Sequence, residues 1–332
     1  MQPSFNTRVR PAFSYATNIG LLAIFATFQR QDGKSKFRLG LGLAVLSNVL
    51  FGMLYLYSSW LAPLSGTQVF LWRMVMMWFG LAGVMAVTHS FGEFKQFIVA
   101  LSKRQWLVLL LPTPVLASQL WLFMWAPLNH QAINVAMGYF LFPLMMVLVG
   151  CIFFKERLNG LQWMAVGLAI FGVVMQIWQA GSISWATAWV CLTYPIYYGV
   201  RRWQGVPALF GLFVDLSIIA PVALGYLLWQ QSSLTVVFGS ASLLVLLIGL
   251  GAVSTFAMQS NLKASALLPV NLFGMLSYLE PALLFVLSVL FMHETLTQEA
   301  LYSFGLIWLA IAVMMGNIVL EQKKFKAVKK LS

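Results

Sequence analysis

Apolar runs long enough to cross a lipid bilayer recur along the whole chain, and only short polar stretches separate them. Each run has about 18 to 24 residues, and about 20 suffice for a helix to cross the ~30 Å hydrocarbon core. The 332 residues are 61% hydrophobic and 8% charged, which is more apolar surface than a soluble fold can bury. The sequence therefore predicts an all-α integral membrane protein.

Hydropathy predicts ten transmembrane helices, and the charges between them predict their orientation. Lys and Arg residues occur in every second loop, near Lys103, Lys155, Arg201 and Lys263. Because basic loops stay in the cytoplasm, both termini are expected there, in a multi-pass protein of the bacterial inner membrane. The expected spans are 38–57, 66–87, 106–126, 132–154, 161–178, 184–200, 207–229, 242–260, 268–292 and 300–320.

Two segments of the chain resemble each other at one constant separation. Pro143 matches Pro281 and Glu156 matches Glu294, since 281 − 143 and 294 − 156 both equal 138. Five spans per copy is an odd number, so the second copy enters the membrane from the opposite side, which predicts two inverted five-helix repeats. The expected division is a cytosolic tail at 1–36, repeats at 37–178 and 184–320, and a basic cytosolic tail at 321–332.

Inverted membrane repeats are typical of secondary transporters, whose substrate site lies between the halves near the bilayer midplane. The sequence has no G-x-x-x-x-G-K-[ST] motif, so ATP is not expected to drive transport directly. It also has no H-E-x-x-H or G-x-S-x-G motif, and we expect no hydrolase activity, cofactor or metal. The net charge of +12 lies in loops and tails, which indicates membrane topology and contact with lipid headgroups, not nucleic acid.

Three charged residues lie well inside predicted spans and are the first candidates for substrate binding or ion coupling. They are Arg73, Asp215 and Glu280. A charge in hydrocarbon costs roughly 2.5 to 3.5 kcal/mol on insertion scales, so such residues face a partner or a wet cavity. We hypothesise that Arg73 pairs with Glu280 to hold or gate the cavity, although a purely architectural ion pair fits the sequence equally well. Asp215 is the weaker candidate, because it lies only about two turns into the seventh span.

Uncharged polar and aromatic residues at mid-span form a second set of cavity candidates. Each can hydrogen-bond a ligand or simply join two helices. They are Asn48, Tyr55, Gln119, Asn134, Tyr139, Tyr198, Asn271 and Tyr278. Pro143 and Pro281 are candidate hinges, because proline in a helix frees a backbone carbonyl and permits a kink.

Several stretches resemble the RarD branch of the EamA group in the drug/metabolite transporter superfamily. They are the run from Trp125 to Trp163, the segment Tyr198-Gly199-Val200-Arg201, Asp215 with the following Pro221-Val222-Ala223, and residues 304–309. The similarity covers roughly residues 37–320. It implies ten helices in two inverted halves, a cavity open alternately to each side, and export or exchange of small metabolites or drugs.

The chain departs from the RarD pattern at a few positions. It has Asn134 where a Glu is expected, Phe142 where an Asn is expected, and Leu120 near an expected Trp. Glu280 before Pro281 resembles the general EamA pattern. If these positions line the cavity, substrate choice differs from that of a typical RarD protein.

The expected function is transport of a small amphipathic or aromatic solute, mainly outward, driven by the proton gradient or by exchange. Glu280 and Asp215 are the expected proton carriers. Two alternatives stay open: a flippase for a lipid-linked intermediate, and a membrane accessory subunit that moves nothing. The oligomeric state is also open, with a homodimer among the options.

Overall fold

The regular structure of the protein is helical wherever the structure, a computed structural model, describes it. The described residues are 33–129, 131–180, 184–283, 302, 305–306, 308–317 and 320. Within these residues the α-helices are α1 Gly33–Ser59, α2 Gly66–Val87, α3 Phe91–Val99, α4 Lys103–Leu110, α5 Thr113–Trp125, α6 Ala132–Ile152, α7 Gly160–Ala180, α8 Trp185–Gln204, α9 Ala208–Gln230, α10 Ser232–Phe238, α11 Ala241–Leu267 and α12 Val270–Leu276. A 3-10 helix, Ala126–Asn129, precedes α6, and residues 279–283 and 308–317 are also helical.

Within the described residues, five helical stretches are long and apolar enough to cross a membrane. They are Ser35–Leu54, Gly66–Val87, Lys103–Trp125, Ala208–Gln230 and Ala241–Leu267, with shorter apolar helices at Met137–Ile152, Gly160–Met175 and Trp308–Asn317. Large apolar side chains are exposed on them, as at Trp163 and Trp229, which suits a surface in contact with lipid. The all-helical membrane class is thereby confirmed, while the count of ten spans stays a prediction.

Helix limits differ from the predicted spans at several places. The first helix begins at Gly33, inside the predicted tail. The third predicted span is two helices, interrupted at Leu111–Pro112, and the ninth is interrupted by a turn at Ser277–Tyr278. Helices α3 and α10 occupy segments that were predicted to be loops. Hydropathy misses such breaks because an interrupted helix is as apolar as a continuous one.

Local sequence signals set several helix starts. Ser65 and Gln68 form a capping box at the start of α2, and Ser102 and Gln105 form one at the start of α4. In each pair the serine hydroxyl accepts a backbone N–H that has no partner within the helix, and the glutamine side chain accepts another. The same arrangement joins Asn159 and Gln162 at the start of α7.

The chain divides into two compact units, each assembled from separate stretches. The first unit comprises Met1–Val135 and Ile196–Leu268, and the second comprises Ala136–Pro195 and Pro269–Ser332. In the first unit α11 packs against α1 and α2, and α9 packs against α2. In the second unit Asn159 donates to the Oδ1 of Asn317 at 3.0 Å, which joins the start of α7 to helix 308–317.

Close approach of helices in the first unit depends on glycine. A Cβ added to Gly251 of α11 would lie 2.5 Å from the Cβ and 2.8 Å from the backbone carbon of Met76 in α2. Small residues of this kind let two helix backbones approach each other in a membrane protein.

We expect Gly251→Ala to lower the stability of the protein by about 1–3 kcal/mol, because the α2 backbone must move to admit the methyl group. Gly83→Ala is the matched control in α2, since nothing lies within 4 Å of its added Cβ. The control should stay within about 1 kcal/mol of wild type. The midpoint of thermal unfolding in detergent measures both, and equal midpoints for the two variants would contradict the close packing.

Some sequence predictions lie outside the described residues. Most of the N-terminal tail, the basic tail 321–332, and Glu294 are among them. The side chain of Tyr55 lies outside them as well.

Candidate functional site

A buried ion pair joins α8 to α9 in the first unit. Asp215 is fully buried, and its Oδ1 accepts hydrogen bonds from the guanidinium of Arg201 and from the Thr113 hydroxyl, the latter at 2.6 Å. The Tyr197 hydroxyl donates to Oδ2 of Asp215 at 3.4 Å. Burying a carboxylate is costly unless it is paired and hydrogen-bonded, and here it is both.

A tight helix hairpin brings the two charges together. Arg201 lies in the last turn of α8, and Asp215 lies in the third turn of α9. Between the helices Gly205 has φ = 67°, a left-handed conformation that glycine adopts without steric cost. Hydropathy ends the sixth predicted span at residue 200 and so assigns Arg201 to a cytoplasmic loop, which is why the sequence does not predict this pair.

Arg201 and Gln204, in the last turn of α8, stabilise the interruption of the third predicted span. Pro112 has no N–H to donate to the carbonyl of Val108, so this carbonyl loses its helical partner. The Nε2 of Gln204 donates to the Val108 carbonyl at 2.6 Å, and Nη1 of Arg201 donates to the Leu109 carbonyl at 3.1 Å. Arg201 therefore neutralises Asp215 and also satisfies the end of α4.

Arg202, the next residue of α8, has a similar role at another helix end. Its Nη1 donates to the carbonyl of Ser265 at 2.8 Å and also to the carbonyl of Leu268, where α11 ends. The last carbonyls of a helix have no partner within the helix and attract cations. Two arginines that were predicted to mark topology thus connect three helix ends.

A second polar network in the first unit includes two of the predicted candidates. The Tyr198 hydroxyl donates to Oδ1 of Asn261 at 2.5 Å, and Nδ2 of Asn261 donates to the Ser47 hydroxyl at 3.2 Å. Asn48, next to Ser47 in α1, donates to the Ala44 carbonyl at 2.6 Å. All four side chains are buried, so the network joins α1, α8 and α11 inside the bundle.

Arg73 is buried in α2, with only 1% of its surface exposed. Its Nε donates to the Ser254 hydroxyl at 2.9 Å, and its Cζ lies 5.8 Å from the centre of the Phe123 ring. Gln119 is also fully buried, in α5. Arg73 and Glu280 belong to different units, and their pairing stays a prediction.

The remaining candidates have different surroundings. Asn134 donates to the Gln131 side chain at 2.8 Å, and the ring of Tyr139 lies 6.1 Å from that of Tyr194. Tyr278 is fully buried at the turn that interrupts the ninth predicted span. Glu280 follows two residues later and is half-buried.

The predicted hinge prolines both lie in helical backbone. Pro143 is inside α6, and Pro281 is in helical residues 279–283. Asn271 lies in the first turn of α12, where its backbone N–H donates to Glu156. Among the residues that the structure describes, no three His, Cys, Asp or Glu side chains lie close enough to hold a metal ion.

Sequence reasoning missed several residues that the structure brings into these networks. They are Ser47, Thr113, Glu156, Arg201, Gln204, Ser254 and Asn261. One signal for Arg201 was available, because a carboxylate within a span requires a cation nearby. The hydroxyl and amide residues gave no such signal, since they are common in membrane helices.

Relatives of the chain match most of its length. An uncharacterized transporter of Haemophilus influenzae is 42% identical over 290 residues, which are 86% of this chain and 97% of the relative. The chloramphenicol-sensitive protein RarD of Pseudomonas aeruginosa is 36% identical over 274 residues, 82% of this chain and 92% of the relative. The chain belongs to the RarD family of transporters. Protein RarD of Escherichia coli is 29% identical over 86% of this chain and 97% of its own length.

Membership of the RarD family confirms the resemblance seen in the sequence and the transporter class. No protein-family model matches the chain. A solved crystal structure superposes on this chain with a TM-score of 0.60, and the match covers 84% of this chain and 96% of the other. Its sequence identity is 16%, so this likeness concerns the fold alone.

Proposed function

We propose that this RarD-family protein is a secondary transporter that exports or exchanges a small organic solute across the bacterial inner membrane by alternating access. The observation that carries the proposal is the set of buried, hydrogen-bonded polar side chains on helices apolar enough to span a membrane, in a chain whose relatives are named transporters. Polar groups inside a membrane are costly and are typical of transport pathways.

The register of two helices supports the inverted repeat in this proposal. Helix α6 begins at Ala132 and α12 begins at Val270, and 270 − 132 = 138, the offset of the sequence repeat. The composition of the two compact units agrees with this 138-residue offset. A shift of 138 carries 136–145 onto 274–283 and 170–179 onto 308–317, and the second unit contains all four stretches. Each unit thus draws on matching parts of the two predicted repeats, which supports the duplication.

Contacts between helix ends support the predicted sides of the membrane. Tyr57, near the end of α1, donates to the Leu246 carbonyl in α11 at 2.8 Å, and Gln68 donates to the Ser232 hydroxyl at 3.3 Å. All four residues were predicted near the outer surface. The contact of Arg202 with Leu268 joins two segments that were predicted near the inner surface. Because basic loops stay in the cytoplasm, this arrangement supports the prediction that both termini are cytoplasmic.

Flux in proteoliposomes tests the proposal. A panel of small amphipathic and aromatic solutes should include chloramphenicol, which the name of one relative mentions, and each should be assayed with and without a pH gradient. We expect saturable flux of at least one solute that empty liposomes do not show. Movement of a labelled lipid without flux of any solute would instead indicate a flippase, and no movement of either would indicate an accessory subunit.

A further inference from the structure

The carboxylate of Glu156 joins two distant parts of the second unit. Its Oε1 accepts the backbone N–H of Val270 at 2.8 Å, and its Oε2 accepts the backbone N–H of Asn271 at 2.9 Å. These N–H groups belong to the first turn of α12, where the helix itself offers no acceptor. Hydrogen bonds to an ionised acceptor are stronger than those between neutral groups. A residue predicted only as a loop corner therefore holds the start of α12.

The turn after α6 directs Glu156 towards α12. The backbone N–H of Glu156 donates to the Gly150 carbonyl at 3.0 Å, and Lys155 before it has φ = 54°, in the left-handed region. This combination of a left-handed residue and a bond back to the last helical turn is a common way to end a helix. Lys155 is exposed, so the turn leaves the lysine at the surface while Glu156 reaches α12.

The missing side chain of Gly150 makes room for this contact. A Cβ added there would lie 3.0 Å from Oε2 of Glu156 and 3.1 Å from the backbone nitrogen of Asn271. On the facing helix, a Cβ added to Gly274 would lie 2.6 Å from the Cβ of Met146 and 3.0 Å from the carbonyl of Pro143. Helices α6 and α12 therefore pack closely along α6 from Pro143 to the turn that carries Glu156.

Helix α12 is short and leads directly to the coupling candidate. It ends at Leu276, the turn at Ser277–Tyr278 follows, and Glu280 and Pro281 come next. The first residue of α12 is only ten positions before Glu280. We expect a change at the start of so short an element to reach Glu280, because only the short helix and one turn separate the two positions.

We propose that Glu156 is a positioning residue for transport, which acts by fixing the segment from Val270 to Glu280 relative to α6. The inference rests on the proposed function, because its effect is on the turnover of a transporter. Glu156 contacts α12 and does not touch the solute in this account. Its loss should therefore slow the conformational step more than it weakens binding of the solute.

Hydrogen exchange and transport kinetics of the full chain test this inference together. We expect Glu156→Ala to raise amide exchange in the peptide containing Val270–Leu276, because both capped N–H groups lose their acceptor. The maximal transport rate should fall by about tenfold or more, with KM changed by less than about threefold. Glu156→Gln retains one acceptor oxygen and should recover part of the rate. Glu93→Ala, in the first turn of α3, is the control and should leave both measurements unchanged.

Gly150→Ala provides a second route, because it keeps the carboxylate and only crowds the contact. Exchange in Val270–Leu276 should rise in this variant too. Unchanged exchange in Glu156→Ala would overturn the inference, and so would a KM that rises as steeply as the rate falls. A wild-type protein that moves no solute would contradict the proposed function instead, and the exchange measurement would still decide whether Glu156 holds α12.

Discussion

Replacing Asp215 with Asn is expected to unfold the protein at temperatures at which the wild type stays folded. The variant leaves the Arg201 guanidinium, 8% exposed, facing a neutral amide inside the bundle. Breaking a buried pair by removing one partner costs about 3–5 kcal/mol, since the remaining charge is uncompensated. Arg201→Met should be at least as harmful, because the Leu109 carbonyl at the interrupted span also loses its donor.

Thermal unfolding of detergent-purified protein measures this effect. Glu93→Gln is the control for the carboxylate, and Arg104→Met is the control for the arginine, since Arg104 is exposed in α4. The double variant Arg201→Met/Asp215→Leu should recover part of the loss, because an apolar pair leaves no unpaired charge. If the Asp215→Asn protein unfolded at the same temperature as the wild type, the ion pair would contribute nothing to the stability of the fold.

Glu280→Gln is expected to remove most of the transport that a pH gradient drives. Glutamine has nearly the same shape as glutamate but cannot bind and release a proton, so a carrier at this position loses its coupling. Flux driven by the pH gradient should fall by about tenfold or more, while exchange of solute for solute continues. The physical reason is that exchange needs the conformational cycle but no net movement of protons.

Proteoliposomes with an imposed pH gradient, and then with solute on both sides, separate these two activities. Glu93→Gln again serves as the control, because it removes a carboxylate from α3 at a site with no predicted role in coupling. Equal flux driven by the pH gradient in Glu280→Gln and wild type would exclude Glu280 as the proton carrier. Loss of both activities would point to a role of Glu280 in the cycle itself.

The surroundings of Asp215 favour a structural role over proton transfer. Its two oxygens accept hydrogen bonds from Arg201, Thr113 and Tyr197, and the same arginine supports the end of α4. A proton carrier must exchange its partners during the cycle, whereas these partners also hold the backbone. Of the two predicted carriers, Glu280 is therefore the better candidate for coupling.

Site residues could be predicted where the sequence carried a strong signal, such as a charge inside an apolar run. Asp215 and Arg73 stood out because a charge inside an apolar run is rare, and both are buried as expected. Arg201 did not stand out, because it lies at the end of an apolar run, where arginine usually marks the cytoplasmic side. Glu156 was recognised as part of a repeat, but its acceptor role depends on residues 114 and 115 positions away.

The sequence by itself determined the class of the protein: apolar runs separated by short polar loops can satisfy their backbone only as helices in a membrane. It also determined the 138-residue register, which the starts of α6 and α12 share. Only the tertiary structure decided where helices break and which charges meet, as at Pro112 and between Arg201 and Asp215. The reason is that hydrophobicity is a local property of the chain, whereas a buried polar group is stabilised only by the partner that folding brings to it.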